Sequence, residues 1–194
     1  DILALKGLSD LHTLDLGGTQ VSDISALAGL SDLHTLDLSE TRMRNIAALE
    51  GLPQLHMLYL SKTYVTDILA LAKCAKLTML DLSRTKVQDI TPLAGLSYLH
   101  ALDLDDTKVQ CILPLQDHPN LHTLNLSGTF VADLSVLTSL RNLKKLIFRD
   151  RQVPGPGLRN AQLLRLDTLQ LSGNVSAGGG LLSSSLQRLS LRGK

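Results

Sequence analysis

Apolar residues recur in two rhythms along this chain. Around Leu14 and Leu16 they fall on every second residue, with Asp15 between them. A period of two sends both leucines to one face and Asp15 to the other, as a short half-buried strand requires. A segment of the form D-I-x-x-L-x-x-L follows, for example from Asp23 to Leu30. Its Asp stands where a helix or 3₁₀ turn would begin, and a side-chain oxygen there can cap the first N–H groups.

The two rhythms alternate with a fixed period. Leu-His-Thr-Leu-Asp-Leu occurs at 11–16 and again at 33–38, and 121–126 differs from it only by Asn125. The same frame opens at Leu11, Leu33, Leu55, Leu77, Leu99, Leu121 and Leu143, a step of 22 each time. Later frames open at Leu166 and Leu186, steps of 23 and 20. One unit reads L-x-x-L-x-L-x-x-T-x-V-x-D-I-x-x-L-x-x-L-x-x. Its strands should lie side by side in parallel, about 4.8 Å apart. The dozen or so remaining residues return the chain along the opposite side.

Finer features of the unit fit this plan. Asp23, Asp67, Asp89, Asp133 and Asn45 are expected to cap the turns, and Cys111 stands in the same place with no oxygen to offer. Pro92 and Pro114 fall in the first turn, where a missing N–H does no harm. Gly29, Gly51 and Gly95 fit the turn's end. Thr19, Thr41, Thr63, Thr85, Thr107 and Thr129 hold the ninth place, where their hydroxyls can bond backbone groups as the chain leaves each strand.

This unit resembles the leucine-rich repeat, which runs 20–29 residues and opens L-x-x-L-x-L. The D-I-x-x-L-x-x-L variant is similar to the 22-residue class of internalins and of phosphatase-regulating solenoids. Those families usually place Asn where this chain has Thr, and Thr-type units resemble many bacterial and protist repeat proteins. The fold implied is an α/β leucine-rich repeat solenoid. It would be curved, with a parallel sheet on the concave face and short helical turns, 3₁₀ segments and loops on the convex face. Residues 1–142 form the regular repeats and begin in mid-repeat. Residues 143–194 are irregular repeats of the same solenoid, interrupted by Val153-Pro154-Gly155-Pro156-Gly157, with Leu158–Arg165 as a candidate short helix. Neither end carries the polar cap that a solenoid needs for solubility, so the chain is expected to be part of a longer protein.

Composition agrees with that plan. Hydrophobic residues make up 44% and aromatic residues 3% of the 194 residues. Leucine supplies about a quarter of them, over twice its usual share. No run of about 18 apolar residues occurs, so no segment should span a membrane as a helix. Two cysteines cannot make a disulfide scaffold or a four-ligand zinc site. Cys74 replaces a core Leu, and Cys74 and Cys111 stand at unlike places two units apart, too distant to bridge. Free thiols fit a reducing compartment, whereas an internalin-like role would place the chain outside a bacterium as an adhesin. Asn125-Leu126-Ser127 and Asn174-Val175-Ser176 are formal glycosylation sequons.

Such solenoids bind along the concave sheet, whose outward places are the third, fifth and seventh of each unit, with the eighth nearby. Asp15, Asp37, Asp81 and Asp103 make an acidic stripe at the fifth place. Neighbours about 5 Å apart repel by only about 0.8 kcal/mol in water. A solvated repeat feature is thus as cheap as a docking strip for Lys or Arg. A row also lacks the convergent oxygens that calcium needs. Tyr59 interrupts the stripe, with Met57 and Met79 beside it and Tyr64 at the strand's exit. Large apolar groups within a polar face suggest a contact patch.

His12, His34, His56, His100 and His122 form a column at the second place, broken by Thr78, while His118 lies off it. Such a column could hold a soft metal or titrate together, or simply copy the repeat. Charge is split along the axis, −7 over residues 1–140 and +8 over 141–194. Arg141, Lys144, Lys145, Arg149 and Arg151 form a second, basic patch. Apart from Phe148 no aromatic side chain accompanies them, which argues against nucleic acid. The bipolar charge suits head-to-tail self-association.

No phosphate-binding, zinc-protease or dinucleotide motif is present. Ser, His and Asp stand in columns on an open sheet that would not exclude water. No cofactor, metal or catalysis is expected. The sequence points to a non-enzymatic protein–protein interaction module. The alternatives are a structural solenoid assembling through its charges and a regulatory segment of a larger enzyme or signalling protein.

Overall fold

A computed structural model describes residues 2–148, 166–172 and 188–192. Nine strands run in chain order through one parallel sheet. They are β1 (Thr13–Asp15), β2 (Thr35–Asp37), β3 (Met57–Tyr59), β4 (Met79–Asp81), β5 (Ala101–Asp103), β6 (Thr123–Asn125), β7 (Lys145–Phe148), β8 (Thr168–Ser172) and β9 (Arg188–Arg192). Equivalent residues of successive repeats are paired, as in Leu14↔Leu36 and Leu36↔Leu58. Lys145 pairs with Thr168 and Thr168 with Arg188, so the sheet absorbs the steps of 23 and 20 without losing register.

Among the described residues each return segment before β7 carries a 3₁₀ turn, at Leu3–Leu5, Ser25–Leu27, Ala47–Gly51, Leu69–Lys73, Thr91–Leu93, Leu113–Leu115 and Ser135–Ser139. Strands stack on strands and turns on turns. The sequence spacing selects 3₁₀ over α. Ile24, Leu27, Leu30 and Leu33 stand three residues apart, and all four are buried. Side chains three apart eclipse only in a helix of three residues per turn. A chain of three-residue bonds follows them, from Leu27 N–H to Ile24 O, Leu30 N–H to Leu27 O and Leu33 N–H to Leu30 O, at 2.9–3.0 Å.

The turns begin almost as expected. Asp23 Oδ1 accepts the Ser25 N–H at 2.8 Å, and Asn45, Asp67, Asp89 and Asp133 repeat the bond. The capped N–H lies two residues on, so the Asp stands one place before the residue that flanks the turn. Pro92 and Pro114 sit in the first turn.

Gly29, Gly51 and Gly95 stand at the ends of the turns, as the sequence suggests, without positive φ. Among the described residues the eighth of each unit is left-handed, at Gly18, Glu40, Lys62, Arg84, Asp106 and Gly128, with φ between 53° and 68°, and of the turn-end glycines only Gly7 joins them, with φ 94°. That kink lets the eighth N–H donate across the repeat, as Glu40 does to Ser61 O and Lys62 to Ser83 O. Gly51 is needed for a different reason, because a Cβ there would lie 2.2 Å from Ala28 O.

The core is a continuous column of leucines with Ile, Val and Met between them. The ninth-place threonines close it from the side. Thr41, Thr63, Thr85, Thr107 and Thr129 are buried. Each donates to the carbonyl three residues back, Thr85 Oγ1 to Leu82 O at 2.7 Å for example. The bond stays within its own repeat, so no ladder of side chains runs between repeats. The Val153–Gly157 interruption, the candidate helix at Leu158–Arg165 and the Asn174 sequon lie outside the described residues.

Candidate functional site

The sheet face is built from the third and fifth residues of each unit, held in register by parallel pairing. Asp15 pairs with Asp37 and Asp81 with Asp103, so the acidic stripe exists as two adjacent pairs flanking Tyr59. Each carboxylate also has a local task. Asp15, Asp37, Asp81 and Asp103 accept the N–H two residues on, from Gly17, Ser39, Ser83 and Asp105, at 2.7–2.8 Å. In Asp15, Asp37 and Asp81 one oxygen therefore fixes the strand's exit and the other remains for a ligand. Asn125 does the same for Ser127 and also donates to Asp103 Oδ2 at 3.0 Å. Burial pushes the Asp103 carboxyl up, opposed by the Asp105 N–H and the Asn125 amide.

Tyr59, Met57 and Met79 come together as expected. Met57 and Met79 are paired residues of β3 and β4. The Tyr59 hydroxyl donates to Met79 Sδ at 3.1 Å and lies 3.9 Å from Met57 Sδ. All three are half-buried. The ring is thus held against two thioethers in the middle of a polar face. Tyr64 does not join them. It lies beyond buried Thr63, half exposed, with the Arg44 guanidinium 4.8 Å from its ring centroid.

The basic patch is divided. Lys145 lies on β7 in the column of Met57 and lowers the Asp103 carboxyl slightly through its charge. Lys144 precedes it in the histidine column, and Arg141 is exposed in the turn before the strand. Arg149 and Arg151 lie outside the described residues.

The histidines do stack. Ring centroids are 5.1 Å apart for His12–His34, 5.0 Å for His34–His56 and 5.4 Å for His100–His122, with planes within 10°. Each Nδ1–H donates to the carbonyl two residues back, for instance His34 to Asp32 O at 2.6 Å. Parallel rings fixed in this way aim their Nε2 lone pairs alongside one another rather than at one point, so the column is poorly built to chelate an ion. Among the described residues no cluster of three His, Cys, Asp or Glu could hold a metal.

One polar residue escaped the sequence reading. His118 stands at the twentieth place, where Leu30, Leu52, Leu96 and Leu140 stand in other repeats, and it is 1% exposed. Its Nε2–H donates to Leu93 O at 3.0 Å, while Nδ1 has no partner. Cys74 occupies the same place two repeats earlier and reaches the equivalent carbonyl, Leu49 O, at 3.4 Å. Burial pushes the Cys74 thiol up to about 11. The 22-residue alignment alone would have put both in the core.

No protein-family model and no curated protein matches the chain. Solved structures do. An internalin, InlF, from Listeria monocytogenes str. 4b F2365 superposes with a TM-score of 0.89 at 27% identity, over 97% of this chain and 56% of its own. Internalin C2 of the same strain gives 0.75 at 38% identity, over 76% of this chain and 66% of its own. A plant peptide hormone receptor, RGFR1, solved in complex with RGF2, gives 0.71 at 19% identity, over 99% and 34%. This chain therefore spans between half and two thirds of the two internalins. The plant receptor shares the fold alone. Among the described residues no helix is long and apolar enough to cross a membrane.

Proposed function

This chain is a leucine-rich repeat solenoid of the 22-residue class, and from that premise we propose that it is a non-enzymatic module that binds a protein ligand on its concave sheet face. The observation that carries this reading is the Tyr59–Met57–Met79 group at the centre of the acidic stripe. A half-buried aromatic ring already fixed against two thioethers offers contact area with little side-chain freedom left to lose. Tyr is enriched in binding hot spots, and Met adapts to irregular partners. The flanking carboxylates add a polar rim that favours a cationic neighbour. The open row of side chains suits recognition, since a reacting centre needs water excluded.

Affinity capture from the source cell tests the reading, with wild type beside a Met57→Glu/Tyr59→Arg double variant matched for folding by circular dichroism. At least one abundant partner should be lost with the variant. Identical captures by the two baits would refute the concave patch.

A further inference from the structure

The strand-exit flank carries a column of side chains that complements the acidic stripe. After the left-handed eighth residue the chain runs to the twelfth without helix or strand. In the five repeats from Leu33 to Leu143 the ninth and eleventh residues are buried, so the tenth must point outward. One backbone bond per repeat holds this column in register. Arg42 N–H donates to Val21 O, Tyr64 to Met43 O, Lys86 to Val65 O and Lys108 to Val87 O, at 2.9–3.1 Å. In those five repeats the outward column reads Arg42, Tyr64, Lys86, Lys108 and Phe130, all exposed, and exposed Gln20 holds the same place in the repeat before them.

Over the repeats that open at Leu11, Leu33, Leu55, Leu77 and Leu99 the stripe on the sheet reads Asp15, Asp37, Tyr59, Asp81, Asp103 and the flank reads Gln20, Arg42, Tyr64, Lys86, Lys108; the next repeat adds Asn125 and Phe130. Both columns are generated by one solenoid, so both have the strand spacing of about 4.8 Å. In both, a tyrosine replaces the charge in the third repeat. With Tyr64 of one copy laid against Tyr59 of another, Arg42, Lys86 and Lys108 each meet a carboxylate. This holds in either direction, because the acidic column is symmetric about Tyr59. Parallel running pairs them with Asp37, Asp81 and Asp103, and antiparallel running with Asp81, Asp37 and Asp15.

The two columns do not satisfy each other within one chain. The charges that act on Asp103 are Asp81 and Lys145, not Lys108. Among the described residues the ion pairs are Lys62–Glu40 and Arg84–Asp105, which use neither column. Lys and Arg side chains are long enough to reach short carboxylates on the floor of a shallow sheet. Asp37 and Asp81 are already oriented through one oxygen, which leaves the other for a cation, while the second oxygen of Asp103 also accepts from Asn125.

We propose that the strand-exit column centred on Tyr64 is a docking surface for the acidic sheet column of a second copy of this chain. The inference rests on the concave-face reading and names one ligand for it. The contact joins unlike surfaces, so it can propagate from copy to copy.

Sedimentation velocity of the purified protein at low and high ionic strength tests it. Two variants separate the surfaces. Lys86→Glu/Lys108→Glu alters exposed side chains of the flank. Asp81→Asn/Asp103→Asn removes charge from the stripe and keeps the turn acceptor, as Asn125 shows. Wild type should associate at low ionic strength and dissociate in salt, where the Debye length falls to about 3 Å at 1 M. Each variant alone should associate about 2- to 30-fold more weakly, the effect of two exposed ion pairs. A mixture of the two should recover a heterodimer, since each supplies the surface the other lacks. A monomeric wild type at low ionic strength overturns the proposal, as does association that neither variant weakens or a mixture that recovers nothing. If the wild type is monomeric and Met57→Glu/Tyr59→Arg still loses a foreign partner, the second copy is refuted and the concave-face reading stands.

Discussion

Replacing His118 by leucine should stabilise the protein, and by more in acid than at neutrality. His118 is 1% exposed and its Nδ1 has no partner. A buried polar atom left unpaired costs about 1–3 kcal/mol. The substitution also removes the Nε2–H bond to Leu93 O, worth about 1 kcal/mol. That carbonyl is not orphaned, because it still accepts the Leu96 N–H at 2.9 Å. Leucine fills this place in four other repeats and returns apolar area to the core. The net gain should be about 1–2 kcal/mol, which for a chain of this size raises Tm by roughly 2–8 °C. Acid adds a second term. Burial holds the His118 imidazole below its usual pKa. As pH falls past about 6.5 the unfolded chain takes up a proton that the folded chain refuses, so wild-type stability falls. His118→Leu lacks that loss, and its advantage should widen between about pH 7 and about pH 5. Urea and thermal denaturation followed by circular dichroism at both pH values give the comparison. A variant less stable than wild type, or an advantage that does not change with pH, would refute the reasoning.

Three further outcomes are expected. Gly29, Gly51 and Gly95 hold the same place in their repeats, yet only at Gly51 would a Cβ strike backbone, 2.2 Å from Ala28 O. Gly51→Ala should cost about 1–3 kcal/mol, whereas Gly29→Ala and Gly95→Ala should be neutral or gain about 0.4–1 kcal/mol; equal urea midpoints for all three would contradict this. Thr85→Val keeps the shape and loses the buried bond to Leu82 O, so it should lower the unfolding free energy by about 0.5–1.5 kcal/mol, with an unchanged value counting against the closure role of the ninth residue. Cys74 is buried with its thiol pushed up to about 11, while Cys111 is exposed. A thiol reagent should therefore modify one cysteine in native protein and two after denaturation, and prompt modification of both would show that the core opens around Cys74.

The period of 22 made most of the fold legible. It fixed the frame of every strand from Leu14 to Leu146, and the Ile-x-x-Leu-x-x-Leu spacing already contained the 3₁₀ period. The left-handed eighth position was not legible because Glu40, Lys62, Arg84 and Asp106 occupy it, where glycine would have marked the turn. The same kink turns the tenth residue outward on the flank, so Tyr64 parts from Tyr59 although only five residues separate them. By residue type His118 is a histidine off the column, whereas its repeat position, shared with Leu30, Leu52, Leu96 and Leu140, places it in the core. On the sheet the composition of each column could be read directly. The second task of each Asp, holding the N–H two residues on, needed backbone geometry.

Site-directed photocrosslinking addresses the concave-face assignment most directly. A photoreactive amino acid would replace Tyr59 on the sheet in one preparation and exposed Leu69 or Leu113 on the 3₁₀ turns in others. Each would be irradiated in the presence of the captured partner. The account predicts adducts from position 59 and none from 69 or 113. Adducts confined to the turn positions, with none from position 59, would contradict it.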